Sequence, residues 1–155
     1  LNEIKIIGVG SPFGADQAGW QLVDELQKKL KHTEPGHRFT FMKTDRPGVR
    51  LLSLLETNSC VVIIDAVDNK YKLGELLLLD KNDLLVEQSG LSTHRTGMAE
   101  IIQLGETLSI LPEQMLIFGI CIDVTSDTQL DYEIIRKLSE ELGSILQQEL
   151  RLPLH

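Results

Sequence analysis

The sequence predicts an α/β fold: a three-layer sandwich in which a mostly parallel, five-stranded sheet carries helices on both faces, about the usual strand number for such a sheet. Three observations lead there. Strand-like apolar runs alternate with helix-like stripes along the chain, the pattern of parallel strands joined by helical crossovers. Two of those runs, 60–64 (CVVII) and 115–120 (MLIFGI), are apolar without a break, as strands covered on both faces are. The chain also opens on a strand, a glycine turn and a helix start in direct succession, residues 4–19, IKIIGVGSPFGADQAG.

In that opening stretch a short apolar run, Ile4 to Ile7, breaks at Gly8-Val9-Gly10 and then at the pair Asp16-Gln17. Trp20, Leu22, Val23, Leu26 and Leu30 follow at helical spacing. Three readings of the turn stand side by side. Gly8, Gly10 and Gly14 form a loose G-x-G-x-x-x-G, which in a dinucleotide-binding fold cradles a phosphate. In the second reading the turn sets Asp16 and Gln17 at the rim of a cleft, to hold a cation or a polar substrate. In the plainest, it only connects, and the acid favours the helix start.

Residues 31–37 contain Glu-Pro-Gly and read as a turn. Residues 38–43 alternate in part, with Phe39 and Phe41 on one face, and read as a half-buried strand. Asp45-Arg46-Pro47-Gly48 punctuates it, and Pro47 suits the first turn of a short helix striped by Val49, Leu51, Leu52 and Leu55. The strand at 60–64 is expected to end at Asp65-Ala66. Another follows at 75–79 after a polar turn at 69–74, too close for a helical crossover, so these two are expected to pair antiparallel. Residues 82–90 are irregular. Ser92-Thr93-His94 leads into an amphipathic helix through Met98, Ile101, Ile102, Gly105 and Leu108. Pro112 precedes the MLIFGI strand, 125–129 is a polar loop, and a long helix runs from Ile134 to Leu150.

With 155 residues, the chain is expected to be a single domain, 1–155, with one good core. Its 42% hydrophobic and 25% charged content is that of a soluble globular protein. A net charge of −8 argues against nucleic acid or an anionic membrane as partner. No apolar run approaches the roughly 20 residues needed to span a bilayer. The first strand begins almost at once, which predicts no signal peptide and a cytoplasmic protein. Cys60 and Cys121 match no zinc spacing and are expected to be free, buried thiols.

Open α/β sheets bind ligands outside the carboxyl ends of their strands. This sequence places Asp16 and Gln17 past the first strand, Asp45 past the second, Asp65 and Asp68 past the third, and Asp123 past the last. His94 enters the Met98 helix. No lysine or arginine lies between Gly8 and Gly19, which weighs against a phosphate. Carboxylates with an imidazole are instead the ingredients of a divalent-metal site.

The blocks GVGSPFGADQAG, IIDAVD, STHRTGMAEII and LIFGI, in this order, resemble the nickel–iron hydrogenase maturation endopeptidases over nearly the whole chain. The resemblance implies a cytoplasmic enzyme with no cofactor of its own. Such an enzyme clips a C-terminal extension from the hydrogenase large-subunit precursor after nickel insertion, and recognises the nickel that the precursor carries. It also implies three metal contacts: an acid in the first loop, the aspartate of the Asp-Ala pair and the histidine of the S-x-H block. Asp65 and His94 match the last two. The first falls on Gln17, beside Asp16, a departure that keeps a carbonyl oxygen but loses the charge. Either Gln17 is a neutral ligand or Asp16 turns inward in its place. Ser11-Pro12 and Asp45-Arg46-Pro47-Gly48 depart as well, from an Asn and from an Asp-Gly-rich turn. Asp16, Asp45 or Asp65 would activate water as general base.

Two alternatives remain at this level. One is a non-catalytic chaperone of the same fold that binds the hydrogenase subunit or nickel; the other is a related small peptidase with another substrate. Dinucleotide binding ranks last.

Overall fold

The computed structural model describes residues 2–30, 37–55, 60–80 and 97–150. The apolar runs form strands β1 (Asn2–Gly10), β2 (His37–Asp45), β3 (Cys60–Asp68), β4 (Leu76–Leu79) and β5 (Gln114–Ile122). The stripes form helices α1 (Ala18–Leu30), α2 (Leu51–Leu55), α3 (Met98–Thr107) and α4 (Tyr132–Glu149). One sheet holds all five strands in the order β2-β1-β3-β5-β4. Every neighbouring pair is parallel except β4 with β5. This is the three-layer α/β fold expected from the sequence.

The winding explains which helix covers which face. The chain steps from β1 to β2 in one direction, then crosses back over β1 to reach β3. Right-handed crossovers in opposite directions put their helices on opposite faces. Accordingly α1 supplies Leu22, Val23 and Leu26 to a core on one face, joined by Ile135, Leu138 and Leu142 of α4. Leu51 and Leu55 of α2, with Ile101 and Ile102 of α3, fill the core on the other. In α4 the buried positions Ile135, Leu138, Leu142 and Leu146 keep helical spacing, and the Asp131 carboxylate accepts the Glu133 N–H at 3.2 Å to cap its start.

Two expectations about β3 are corrected. The strand does not stop at Asp65; its ladder with β5 continues from Asp65↔Gly119 to Asp68↔Ile122. Asp65 therefore lies inside the strand. The following strand, β4, does not pair with β3. It is antiparallel, but to β5, which is inserted between them. The long parallel β3–β5 ladder takes the edge of β3 that a hairpin partner would need.

Gly19, in the first turn of α1, packs directly against the sheet. A Cβ there would lie 2.7 Å from the Val9 carbonyl oxygen and 3.0 Å from that of Ile64, so only glycine permits this approach. Both cysteines are free, as expected, but only Cys121 is buried; Cys60 is half-buried. Burial pushes the Cys60 thiol up to about 11 and raises that of Cys121, so neither is poised as a nucleophile. No helix among the described residues is long and apolar enough to cross a membrane.

Candidate functional site

The reversal of winding direction makes the gap beyond the carboxyl ends of β1 and β3 the topological switch point, where open α/β sheets form their ligand crevice. The two strands pair only from Ile4↔Cys60 to Gly8↔Ile64. Beyond that, β1 runs on with β2 to Gly10↔Asp45, and β3 runs on with β5. Asp65 is the first residue of β3 past the split.

The loop after β1 is folded tightly on itself. The Ser11 hydroxyl donates to Asp16 Oδ2 at 2.5 Å, the Ser11 N–H donates to the Asp16 carbonyl at 3.3 Å, and both residues are buried. Asp16 and Gln17 lie on a 3-10 turn, Gly14–Gln17, that leads straight into α1. Gly14 adopts φ +52°, and a side chain there would strike the Ser126 carbonyl in the loop after β5. A Cβ on Gly8 or Gly10 would meet the Gly19 or Asp16 carbonyl oxygen. The three glycines are thus packed closely against the protein's own backbone.

Gln17 is held from two sides. Its Nε2 donates to the Gly14 carbonyl at 3.2 Å, and its Oε1 accepts from Gln129 Nε2 at 2.9 Å. Gln129 lies in the loop after β5, so this contact joins the two loops across the end of α1.

Asp45 ends β2 opposite Gly10. Arg46 follows with φ +42°, a left-handed conformation that costs a residue with a Cβ roughly 1–2 kcal/mol. Its N–H donates to the Gly10 carbonyl at 3.0 Å, its Nε meets Asp45 Oδ1 at 2.8 Å, and its guanidinium carbon sits 5.7 Å from the centre of the exposed Phe13 ring. The Asp45 hydrogen bond and charge, with a smaller effect from Asp16, raise the Arg46 pKa above its ordinary value. Asp16, Asp45 and Arg46 therefore share one electrostatic neighbourhood.

Asp65 is 1% exposed, in a strand that is otherwise apolar up to Val67. Its Oδ1 accepts the Ala66 N–H at 2.8 Å. Strand alternation gives Asp65 the face of Ile63 and Val67, the side packed by α2 and α3. Asp45 follows Lys43, whose Nζ meets Asp24 of α1 at 2.9 Å, so Asp45 is on the α1 side. The candidate aspartates thus approach the switch point from both faces of the sheet. His94, the remaining candidate, lies outside the described residues. Among the described residues no three His, Cys, Asp or Glu side chains form a metal-holding group.

Asp68 and Asp123 line a neighbouring open pocket of about 400 Å³ with Tyr71 and Thr125. The Thr125 hydroxyl and N–H, at 2.6 and 2.9 Å, pull the Asp123 pKa below the ordinary carboxylate range. The sequence reading assigned no role to Ser11 or Arg46. Ser11 carried a usable signal, a hydroxyl at the head of the loop that ends in Asp16; the left-handed backbone of Arg46 carried none.

The HycI hydrogenase maturation protease family model matches residues 20–148, beginning just after the Asp16-Gln17 turn. Among relatives, the hydrogenase expression/formation protein HupD of Rhodobacter capsulatus is 24% identical over 119 residues, 75% of this chain and 55% of that protein. HoxM of Azotobacter vinelandii is 24% identical over 120 residues, 76% of this chain and 56% of that protein. The chain thus spans about half the length of the curated relatives it matches. Among solved structures, the hydrogenase maturating endopeptidase HybD from E. coli superposes with a TM-score of 0.69 at 18% identity, covering 95% of this chain and 93% of that one. The hydrogenase maturation protease HycI from Thermococcus kodakarensis KOD1 gives 0.59 at 21% identity, covering 97% and 93%. At these identities the superpositions speak to the fold.

Proposed function

The chain belongs to the hydrogenase maturation protease family, and from that membership we propose that it is an endopeptidase of nickel–iron hydrogenase maturation. In this reading residues 1–155 form one cytoplasmic domain that removes the C-terminal extension of a large-subunit precursor once nickel is in place. The observation that carries the reading is Asp65: an acid 1% exposed at the point where β1 and β3 part. A carboxyl group this buried is uncommon, and its neighbours in the strand, Ile63, Ile64, Ala66 and Val67, are all apolar.

The nickel belongs to the substrate. Asp65 and His94 would contact it, with Gln17 as a neutral third ligand or Asp16 in its place. Hydrolysis then needs a carboxylate to accept a proton from water as the water oxygen attacks the scissile carbonyl; the C–N bond breaks and the proton passes to the departing amine. Asp16, Asp45 and Asp65 are the candidates. Asp45 is the best placed for water, with a side chain 48% exposed and one oxygen occupied by Arg46.

The direct test follows the intact mass of nickel-loaded and nickel-free precursor mixed with the protein. We expect loss of a C-terminal peptide from the nickel-loaded form only. Tight binding with no mass change in either form would overturn the protease reading. It would favour the chaperone, whose support is the uncharged Gln17.

Gln17→Glu probes that departure. A carboxylate cannot donate to the Gly14 carbonyl and would face it, so the variant should lose about 1 kcal/mol of stability. If Gln17 touches the nickel, the added charge should tighten binding of nickel-loaded precursor about tenfold and leave nickel-free precursor unaffected. Calorimetry with both forms reads this; equal changes in the two would remove Gln17 from the metal.

A further inference from the structure

We propose that Arg46 is a positioning residue of this site, tying the Phe13 loop to the Asp45 carboxylate at the lip where the substrate peptide enters. The argument starts from its backbone. At φ +42° a glycine would serve with less strain, so retaining an arginine there points to a role for the side chain. That side chain makes two contacts with different elements: Nε with Asp45 Oδ1 at 2.8 Å, at the end of β2, and a cation–π contact with Phe13, 5.7 Å from the ring centre, in the loop after β1.

The Phe13 loop carries the buried Ser11–Asp16 pair and continues into the turn that bears Gln17. One guanidinium therefore braces two of the segments that hold the candidate aspartates. It remains 55% exposed, and its two terminal nitrogens have no partner among the described residues. A planar group already held through Nε and one ring face loses little freedom when it accepts a further partner, here a carbonyl or carboxylate oxygen of the peptide. The exposed Phe13 side chain, 65% accessible, gives the lip an apolar component for the peptide's side chains.

The inference rests on the protease reading for its activity readout and on hydrogen exchange for its independent one. Arg46→Gly, Arg46→Ala and Arg46→Lys separate the terms. Arg46→Gly relieves the backbone and removes the tie, so its Tm should match or exceed that of the parent, while amide exchange across residues 11–17 speeds up by about fivefold or more. Arg46→Ala keeps the strain without the contacts and should melt lowest. In precursor cleavage, Arg46→Gly should lose about tenfold, mainly in kcat, because a displaced carboxylate is felt in the transition state. Arg46→Lys, which keeps the charge without the planar fork, should recover part of that loss. Unchanged exchange in Arg46→Gly overturns the proposal. So does faster exchange with unchanged kcat, which would leave Arg46 as a purely structural tie. If the parent protein cleaves no precursor, the protease reading fails separately, and the exchange comparison alone decides whether Arg46 braces the loop.

Discussion

Asp65→Asn is expected to lower precursor cleavage by at least about 10²-fold in kcat/KM while leaving the protein folded. Asparagine has nearly the shape of aspartate and keeps an acceptor for the Ala66 N–H, now 2.8 Å from Asp65 Oδ1. The flanking strand is unaffected, since Ile64 and Ala66 face the opposite core. What disappears is the negative charge at the point where β1 and β3 separate. Removing a group that merely orients a metal ligand costs roughly 10–100-fold in affinity or activity, so altering a direct contact, the role proposed for Asp65, should reach at least the upper end. The loss should be read by intact mass with nickel-loaded precursor, next to a melting curve for each protein. Normal cleavage by a folded Asp65→Asn protein would take Asp65 out of the mechanism and leave Asp16 and Asp45 as the acids to test.

That prediction rests on a residue the sequence made visible, and the reasons mark the limits of such reading. CVVII and MLIFGI declare themselves because strands covered on both faces need apolar residues at every position. The α4 stripe is legible because its buried positions repeat over several turns. The end of β3 is not legible in the sequence, because an acid after an apolar run looks like the edge of the core. Here the strand runs on past the acid, because pairing to β5 carries it to Asp68. The partner of β4 is not legible either, because sequence separation favours a hairpin with β3, whereas adjacency is decided by which strand fills the slot. Within the site, Asp16, Gln17, Asp45 and Asp65 were readable as polar residues at strand ends. The Gln17–Gln129 contact joins residues 112 apart, and the left-handed Arg46 is a backbone property with no residue-type signal. Both follow from tertiary structure alone.

A large loss of stability should come from Gly19→Ala, and a second glycine supplies its control. A methyl group at Gly19 meets two backbone oxygens, Val9 at 2.7 Å and Ile64 at 3.0 Å. Backbone in the middle of a sheet cannot rotate away as a side chain would, so the start of α1 must lift. Leu22, Val23 and Leu26, each 1% exposed or less, then lose contact with the core they share with α4. Overpacking of this kind costs about 1–3 kcal/mol, and the upper end applies where the obstacle is backbone on both sides. For a chain of this length that should lower Tm by roughly 6–12 °C. Gly143, within α4, has nothing within 4 Å of the corresponding position; Gly143→Ala should therefore gain about 0.5–1 kcal/mol from helix propensity. The same substitution is thus expected to have opposite signs at the two positions. Because α1 begins directly after Gln17, Gly19→Ala should also displace the Asp16-Gln17 turn and slow cleavage at temperatures where the protein is still folded. Melting curves for the two variants settle the stability argument: equal Tm values would mean that α1 can shift outward without loss, and that Gly19 is not what sets the distance between helix and sheet.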